Sequence, residues 1–175
     1  MLKHLFKPRP AALAGASLYE RVVAQARSPQ LYADLGAPDT TEGRFEIYSL
    51  HVYLLLERLK EQGPQAAETA QALLDTYLSA LDNTLREMGL GDVGVGRQVR
   101  KLGEAFYGRV RSYEVGLAAL PDTTVLEAML IRTAYAGADP TSAPRLAGYI
   151  VRQRAALAVL PLDDLFAGKV TWADL

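Results

Sequence analysis

The 175-residue chain contains no cysteine, which excludes disulfide staples, thiolate metal ligands and a cysteine nucleophile. Histidine occurs only twice, as His4 and His51, so a histidine-rich metal site is excluded as well. Charge of one sign is also missing. Nineteen Lys and Arg against 20 Asp and Glu leave a net charge of -1, and a broad basic surface for nucleic acid is not expected. Uncharged runs stop at ten residues, at Pro10–Tyr19 and, with His51 neutral, at Ile47–Leu56. A bilayer-spanning helix needs about 20 mostly apolar residues, so none is expected.

Sustained alternation of apolar and polar residues is absent too, which argues against strands. What the chain does have is helix-forming material. Leu (28) and Ala (27) outnumber Val, Ile and Thr together (25), the balance of a helical protein. A hydrophobic content of 50% rules out global disorder.

The spacing predicts a helix over 17–27, with Ser17 and Glu20 as a capping box and Ser28-Pro29 as its end. A short helical or irregular stretch follows at 30–35, then a loop at 36–43. The segment 44–62 is apolar nearly all round in its middle, the mark of a central helix. Gly63-Pro64 closes it and opens the next helix, 64–88, for which Gly89 is the expected left-handed terminator. In 95–120 the apolar residues Val95, Val99, Leu102, Phe106, Val110, Tyr113, Leu117 and Leu120 step by three and four. Helices over 124–137, with Thr124 and Glu127 as a second capping box, and over 144–160 complete the set. A short helix is expected in the tail. The expected fold class is all-α, one compact domain over 17–175 with six or seven helices around the helix at 44–62.

Residues 1–16 read as a basic, flexible amino-terminal segment. Three readings stand: a frayed terminus, a degenerate signal peptide, or a weak membrane-surface foot. In the last, Lys3, Lys7 and Arg9 interleave with Leu2, Leu5 and Phe6, and each cation contributes about 1 kcal/mol near an anionic leaflet.

Chemistry-bearing patterns are sparse. His51 lies mid-helix with Ile47 and Leu55 at the i±4 positions, which offers no local metal pair and reads as a hydrogen-bonded core histidine. Gly89-Leu-Gly91-Asp-Val-Gly94 spells a dinucleotide fingerprint. It follows a helical pattern where the fingerprint needs a strand, and so reads as a helix–helix connection. Around it, Arg86, Glu87 and Asp92 either lock the turn by ion pairs and caps or present a recognition surface. A second polar cluster spans Pro38 to Phe45. Asp39, Thr40 or Thr41 can cap the central helix, Glu42 favours a helix N-terminus, and Arg44 in the first turn opposes the helix dipole, so a specific carboxylate partner is expected. The third cluster is Phe106-Tyr107-Gly108-Arg109, where a mid-helix glycine marks a close helix approach. Arg97, Arg100, Lys101, Arg109 and Arg111 make that helix locally basic, as a solvated face or as a contact for an anionic partner. No catalytic, cofactor or metal residue is assigned. An enzyme would need Asp39, Asp92 and His51 to converge.

These clusters, in this order, resemble the ubiquinol–cytochrome c chaperone family. The stretches SPQLYADLGAPDTTEGRFEIYSLHVYLLLERL and LDNTLREMGLGDVGVGRQVRKLGEAFYGRVRSYE carry the resemblance, which covers most of 18–160. Glu46 stands where the family often has Asp, and Gly96 where proline is common. The resemblance implies a non-enzymatic assembly factor for respiratory complex III. Its implied client is newly made cytochrome b, with a small partner protein and the ribosome exit nearby. Without a long transit peptide, the chain is expected in a bacterial cytoplasm, at most peripheral on the inner membrane. The implied contact residues are Asp39, Thr40, Gly43, Arg44, Phe45, Arg86, Glu87, Gly91, Asp92, Phe106, Tyr107, Gly108 and Arg109, gathered on one side of the domain. The rival readings are a ribosome- or membrane-associated module with another client, and a small helical enzyme.

Overall fold

The computed structural model describes residues 9–89 and 91–175. The helices are α1 (Pro10–Ala26), α2 (Pro29–Ala33), α3 (Thr41–Leu59), α4 (Pro64–Glu87), α5 (Asp92–Ala118), α6 (Thr124–Arg132), α7 (Ala143–Ala158) and α8 (Leu162–Phe166). A single 3₁₀ turn lies at Pro140–Ser142. The described residues therefore form eight α-helices and no strand. The count exceeds the expected six or seven because α2 and α8 are full five-residue helices.

Helix α3 holds the centre, as its all-round apolarity predicts. Eleven of its residues are buried, including Ile47, Leu50, Val52, Leu54 and Leu55. Helices α1, α4, α5 and α7 all pack on it. Burial of this many large side chains supplies the main driving force, since each contributes about 1.5–3 kcal/mol. Two polar groups inside are satisfied locally. Ser49 and Tyr77 share a hydrogen bond of 2.8 Å, and His51 is bonded at both ring nitrogens.

Helix α1 starts at Pro10, not at Ser17. Proline suits the first helical position because its missing N–H has no intrahelical partner to lose. Residues 10–16, expected within a flexible segment, are therefore helical, and Ser17 with Glu20 lies inside the helix and caps nothing. Ala14 and Gly15 are buried against α4. A Cβ on Gly15 would lie 2.6 Å from the Leu73 backbone nitrogen, so this glycine permits the α1–α4 crossing. The membrane-foot residues Lys3 and Lys7 lie outside the described residues, and Arg9 is the α1 N-cap residue.

Helices α3 and α4 run antiparallel through the short 60–63 connection, where Gly63 has φ +94°. Helix α4 ends at a left-handed Gly89, φ +85°, as the sequence predicts. Helix α6 stops at Arg132, short of the expected 137. Its start is capped by Asp122, whose carboxylate accepts the Thr124 N–H at 2.9 Å, while Thr123 and not Thr124 bonds Glu127.

Candidate interaction surface

The 38–45 loop is built to start α3. Thr40 is the N-cap, its Oγ1 accepting the Gly43 N–H at 3.0 Å. The chain turns so tightly that a Cβ on Gly43 would lie 2.0 Å from the Pro38 carbonyl oxygen. Arg44 has the carboxylate partner its position demands: its Nε donates to Asp39 at 2.6 Å, and its guanidinium sits 5.1 Å from the Tyr32 ring centroid. Tyr48, one turn on, accepts from Arg27 Nε at 3.0 Å. Nearby Tyr19 has its hydroxyl pushed up to about 12 by burial, with Tyr48 adding and Arg27 opposing. The result is a half-exposed tyrosine–arginine patch of α1, α2 and α3. Its members Tyr19 and Arg27 carry no local sequence signal, because only the helix crossing brings them in. Phe45 packs against the core edge.

The 86–92 turn is locked by charge. Arg86 donates to Asp82 at 2.6 Å and also to Asp92. Glu87 is exposed and forms no ion pair among the described residues. Gly91 is the α5 N-cap in extended conformation. This is a helix–helix connection, as read from the sequence, and Gly94 lies inside α5.

On α5, Phe106 is buried against Tyr77, ring centroids 5.3 Å apart, while Tyr107 is 57% exposed. Arg109 turns inward onto Glu46, a buried carboxylate, with bonds of 2.8, 2.8 and 3.1 Å. That hydrogen bonding raises the Arg109 guanidinium further above its ordinary value. The close approach expected at Gly108 does not occur: a Cβ there would meet nothing within 4 Å. It occurs instead at Gly116, where a Cβ would lie 3.1 Å from Leu126 Cα.

The three clusters do not share one face. Arg44 and Glu46, two residues apart on a 3.6-residue helix, point about 200° apart. The Arg44 patch therefore faces α1 and α2, and the Glu46–Arg109 pair lies on the opposite flank of α3. The 86–92 turn lies further out, since Arg86 is about 14 Å along α4 from Tyr77 at 1.5 Å per residue. The expectation of a single gathered site gives way to two flanks and a tip. The helical period of α3 separates residues that are adjacent in sequence.

What α5 leaves uncovered is its outer side. Val93, Arg97, Arg100, Tyr107, Arg111 and Val115 are all exposed there, at three- and four-residue steps apart from one longer stride. Val93 is 80% and Val115 63% exposed. The basic face excludes Arg109, and Arg100 has a long contact of 3.9 Å to Glu104.

The residues that an enzyme would need do not converge. His51 is fully buried, its ring nitrogens 2.7 Å from the Ile47 carbonyl and 2.7 Å from Tyr149 Oη. Asp39 is tied to Arg44 on the surface, and Asp92 to Arg86 at the tip. Two surface grooves, about 570 and 490 Å³, flank the Glu57–Arg154 ion pair and contain none of them. Among the described residues no group of three or more His, Asp or Glu is placed to hold a metal ion, and no helix is long and apolar enough to cross a membrane.

The fold is a helical scaffold whose polar motifs brace its own turns and whose longest helix leaves one apolar and basic side uncovered. The chain belongs to the ubiquinol-cytochrome C chaperone family, whose model matches residues 33–172. That family comprises assembly factors, not enzymes. The chain is similar to ubiquinol-cytochrome-c reductase complex assembly factor 1 of Xenopus laevis, 25% identical over 93% of this chain and 82% of that protein. The Drosophila melanogaster counterpart is 29% identical over 90% of this chain, which spans 63% of the fly protein. The crystal structure of the Cbp3 homolog from Brucella abortus superposes with a TM-score of 0.85 at 35% identity, covering 99% of this chain and 97% of that one.

Proposed function

We propose that this chain holds newly made cytochrome b during the biogenesis of ubiquinol-cytochrome c reductase, on the cytoplasmic side of a bacterial inner membrane. The outer side of α5, centred on Tyr107 and Gly108, is the client contact. The observation that carries the reading is that uncovered side of a 27-residue helix, in a chain that keeps the family fold end to end. Tyr107 offers an apolar ring with a wet hydroxyl, the chemistry favoured where a contact is part apolar and part solvated. Gly108 leaves room for a partner backbone to approach closely. The Arg44–Tyr32–Tyr48 patch on the other flank of α3 is then free for a second protein, the small partner that the family resemblance implies.

The test is affinity capture of the tagged chain from mildly solubilised membranes, read by mass spectrometry, beside a deletion strain. Cytochrome b is expected among the captured proteins, and assembled complex III is expected to fall in the deletion strain while unrelated oxidases persist. Tyr107→Ala, exposed and clear of the core, should lose the client and keep the fold. Normal cytochrome b accumulation in the deletion strain would overturn the proposal.

A further inference from the structure

After α8 the chain reverses at Gly168, φ +70°, where a Cβ would lie 2.3 Å from Ser17 Cβ. Residues 169–175 then run with no helix or strand of their own. They are gripped through backbone by one side chain. Gln153, fully buried on α7, accepts the Ala173 N–H through Oε1 at 2.8 Å and donates through Nε2 to the Ala173 carbonyl at 2.8 Å. A carboxamide so placed presents the same donor and acceptor that a neighbouring strand would offer. It reads extended backbone and is indifferent to the side chain. Two residues, Val170 and Trp172, pack down on the core, and the Trp172 ring meets the His51 ring edge-on at 5.2 Å.

The fit is incomplete. No residue from 169 to 175 is fully buried, whereas Gln153 and His51 beneath them are. The Trp172 indole N–H is buried with no hydrogen-bond partner among the described residues. Buried donors are paired in all but a few cases, so this one marks an imperfect fit.

We propose that the floor formed by Gln153 and His51 is a groove for an extended polypeptide segment of the pattern Val-x-aromatic, that the chain's own residues 169–175 fill it in cis, and that a client segment of the same pattern displaces them. The identity of the displacing segment as a client rests on the chaperone reading; the groove itself does not.

Two measurements test it. In the full chain, the Ala173 amide should exchange with solvent through a local opening that is insensitive to low denaturant and leaves α3 amides protected. In a chain ended after Gly168, a fluorescent peptide of sequence KVTWADL should bind and raise anisotropy. The full chain should bind it about tenfold or more weakly, because its tethered tail competes at high effective concentration. Gln153→Leu in the shortened chain should abolish binding, and a scrambled peptide should not bind. Ala173 exchange only on global unfolding, a shortened chain that fails to fold, or equal binding of the scrambled peptide would each overturn the groove. A concentration-dependent dimer of the full chain, with tails exchanged between copies, would overturn the client assignment. These readouts use only this chain and its own peptide, so their failure leaves complex III assembly untouched, and a failed assembly assay leaves the groove measurable.

Discussion

Arg109 stands in the motif that carries the family resemblance, yet its guanidinium is turned onto Glu46, and this makes an asymmetric stability prediction. Removing the cation by Arg109→Met leaves the Glu46 carboxylate, 5% exposed, with no partner in a site poorly supplied with water. Breaking a buried pair in this way costs about 3–5 kcal/mol. The Arg109 side chain keeps 27% exposure, so solvent reaches one edge and about 2–3 kcal/mol is the appropriate figure. Removing the anion by Glu46→Met is milder, about 1–2 kcal/mol, because the long Arg109 side chain can swing its charge into water. Replacing both leaves no orphaned charge and should recover much of the loss. The assay is urea unfolding followed by helical circular dichroism on the wild type, both single variants and the double variant. In a domain of this size the Arg109→Met loss corresponds to a fall in Tm of about 4–12 °C. Equal losses in the two single variants, or a double variant whose loss is their sum, would refute the reasoning. A folded, fully stable Arg109→Met chain that lost only its client would return Arg109 to the contact surface.

Two further outcomes follow from the structure. Burial holds His51 neutral, lowering it from 6.5 to about 4 against the opposing hydrogen bond to Ile47. Below pH 6.5 the unfolded chain binds a proton that the folded chain refuses, so the stability is complete above pH 6.5 and falls as pH drops toward 4. The loss is about 2 kcal/mol at pH 5 and about 3 kcal/mol at pH 4. Urea unfolding of wild type and His51→Gln from pH 5 to 7.5 should give curves that converge as pH falls, and parallel curves would refute the assignment. Gly43→Ala and Gly108→Ala should move oppositely in the same assay. The first drives a methyl group into the Pro38 carbonyl and disturbs the Thr40 cap, costing about 2–4 kcal/mol. The second, in open space on a helix, gains about 0.5–1 kcal/mol, and a loss there would show an unseen close contact.

The helices were legible because their signals are local and periodic. The all-round apolarity of 44–62 marks α3 as central, and the three-and-four stepping from Val95 to Leu120 gives α5 its length and buried side. Arg44's need for a carboxylate partner, though not the choice of Asp39, and the Gly89 terminator are legible for the same reason, since the helix dipole and the left-handed stop act within a few residues. The start of α1 was not, because Ser17 with Glu20 is a good cap in isolation, and only the packing of Ala14 and Gly15 on α4 carries the helix seven residues further back. The partner of Arg109 was equally hidden. Glu46 lies 63 residues away, and no local pattern joins them. The glycine reading fails at Gly108, and the close approach falls at Gly116, which the sequence reading does not single out, because a mid-helix glycine reports a close approach only where another helix is there to make it.

On the proposed reading, most of the motif residues brace the fold and only a few of them, Tyr107 and Gly108, belong to the contact surface. Thr40, Gly43 and the Asp39–Arg44 pair start α3. Arg86 closes the α4–α5 turn through Asp82 and Asp92. Arg109 anchors α5 to α3 through Glu46, about one turn of α5 from the Tyr53–Tyr113 stack at 4.8 Å. Each is a bond that fixes where a helix begins, turns or crosses, and each is consumed within the chain. The effect of these braces is to hold a 27-residue helix at a set angle while its outer side stays open. A sequence signature built from such braces identifies the scaffold and fixes the position of the exposed residues beside them, Tyr107 and Gly108 foremost. It follows that substitutions in the braces should lower stability and binding together, whereas substitutions on the outer side of α5 should lower binding alone.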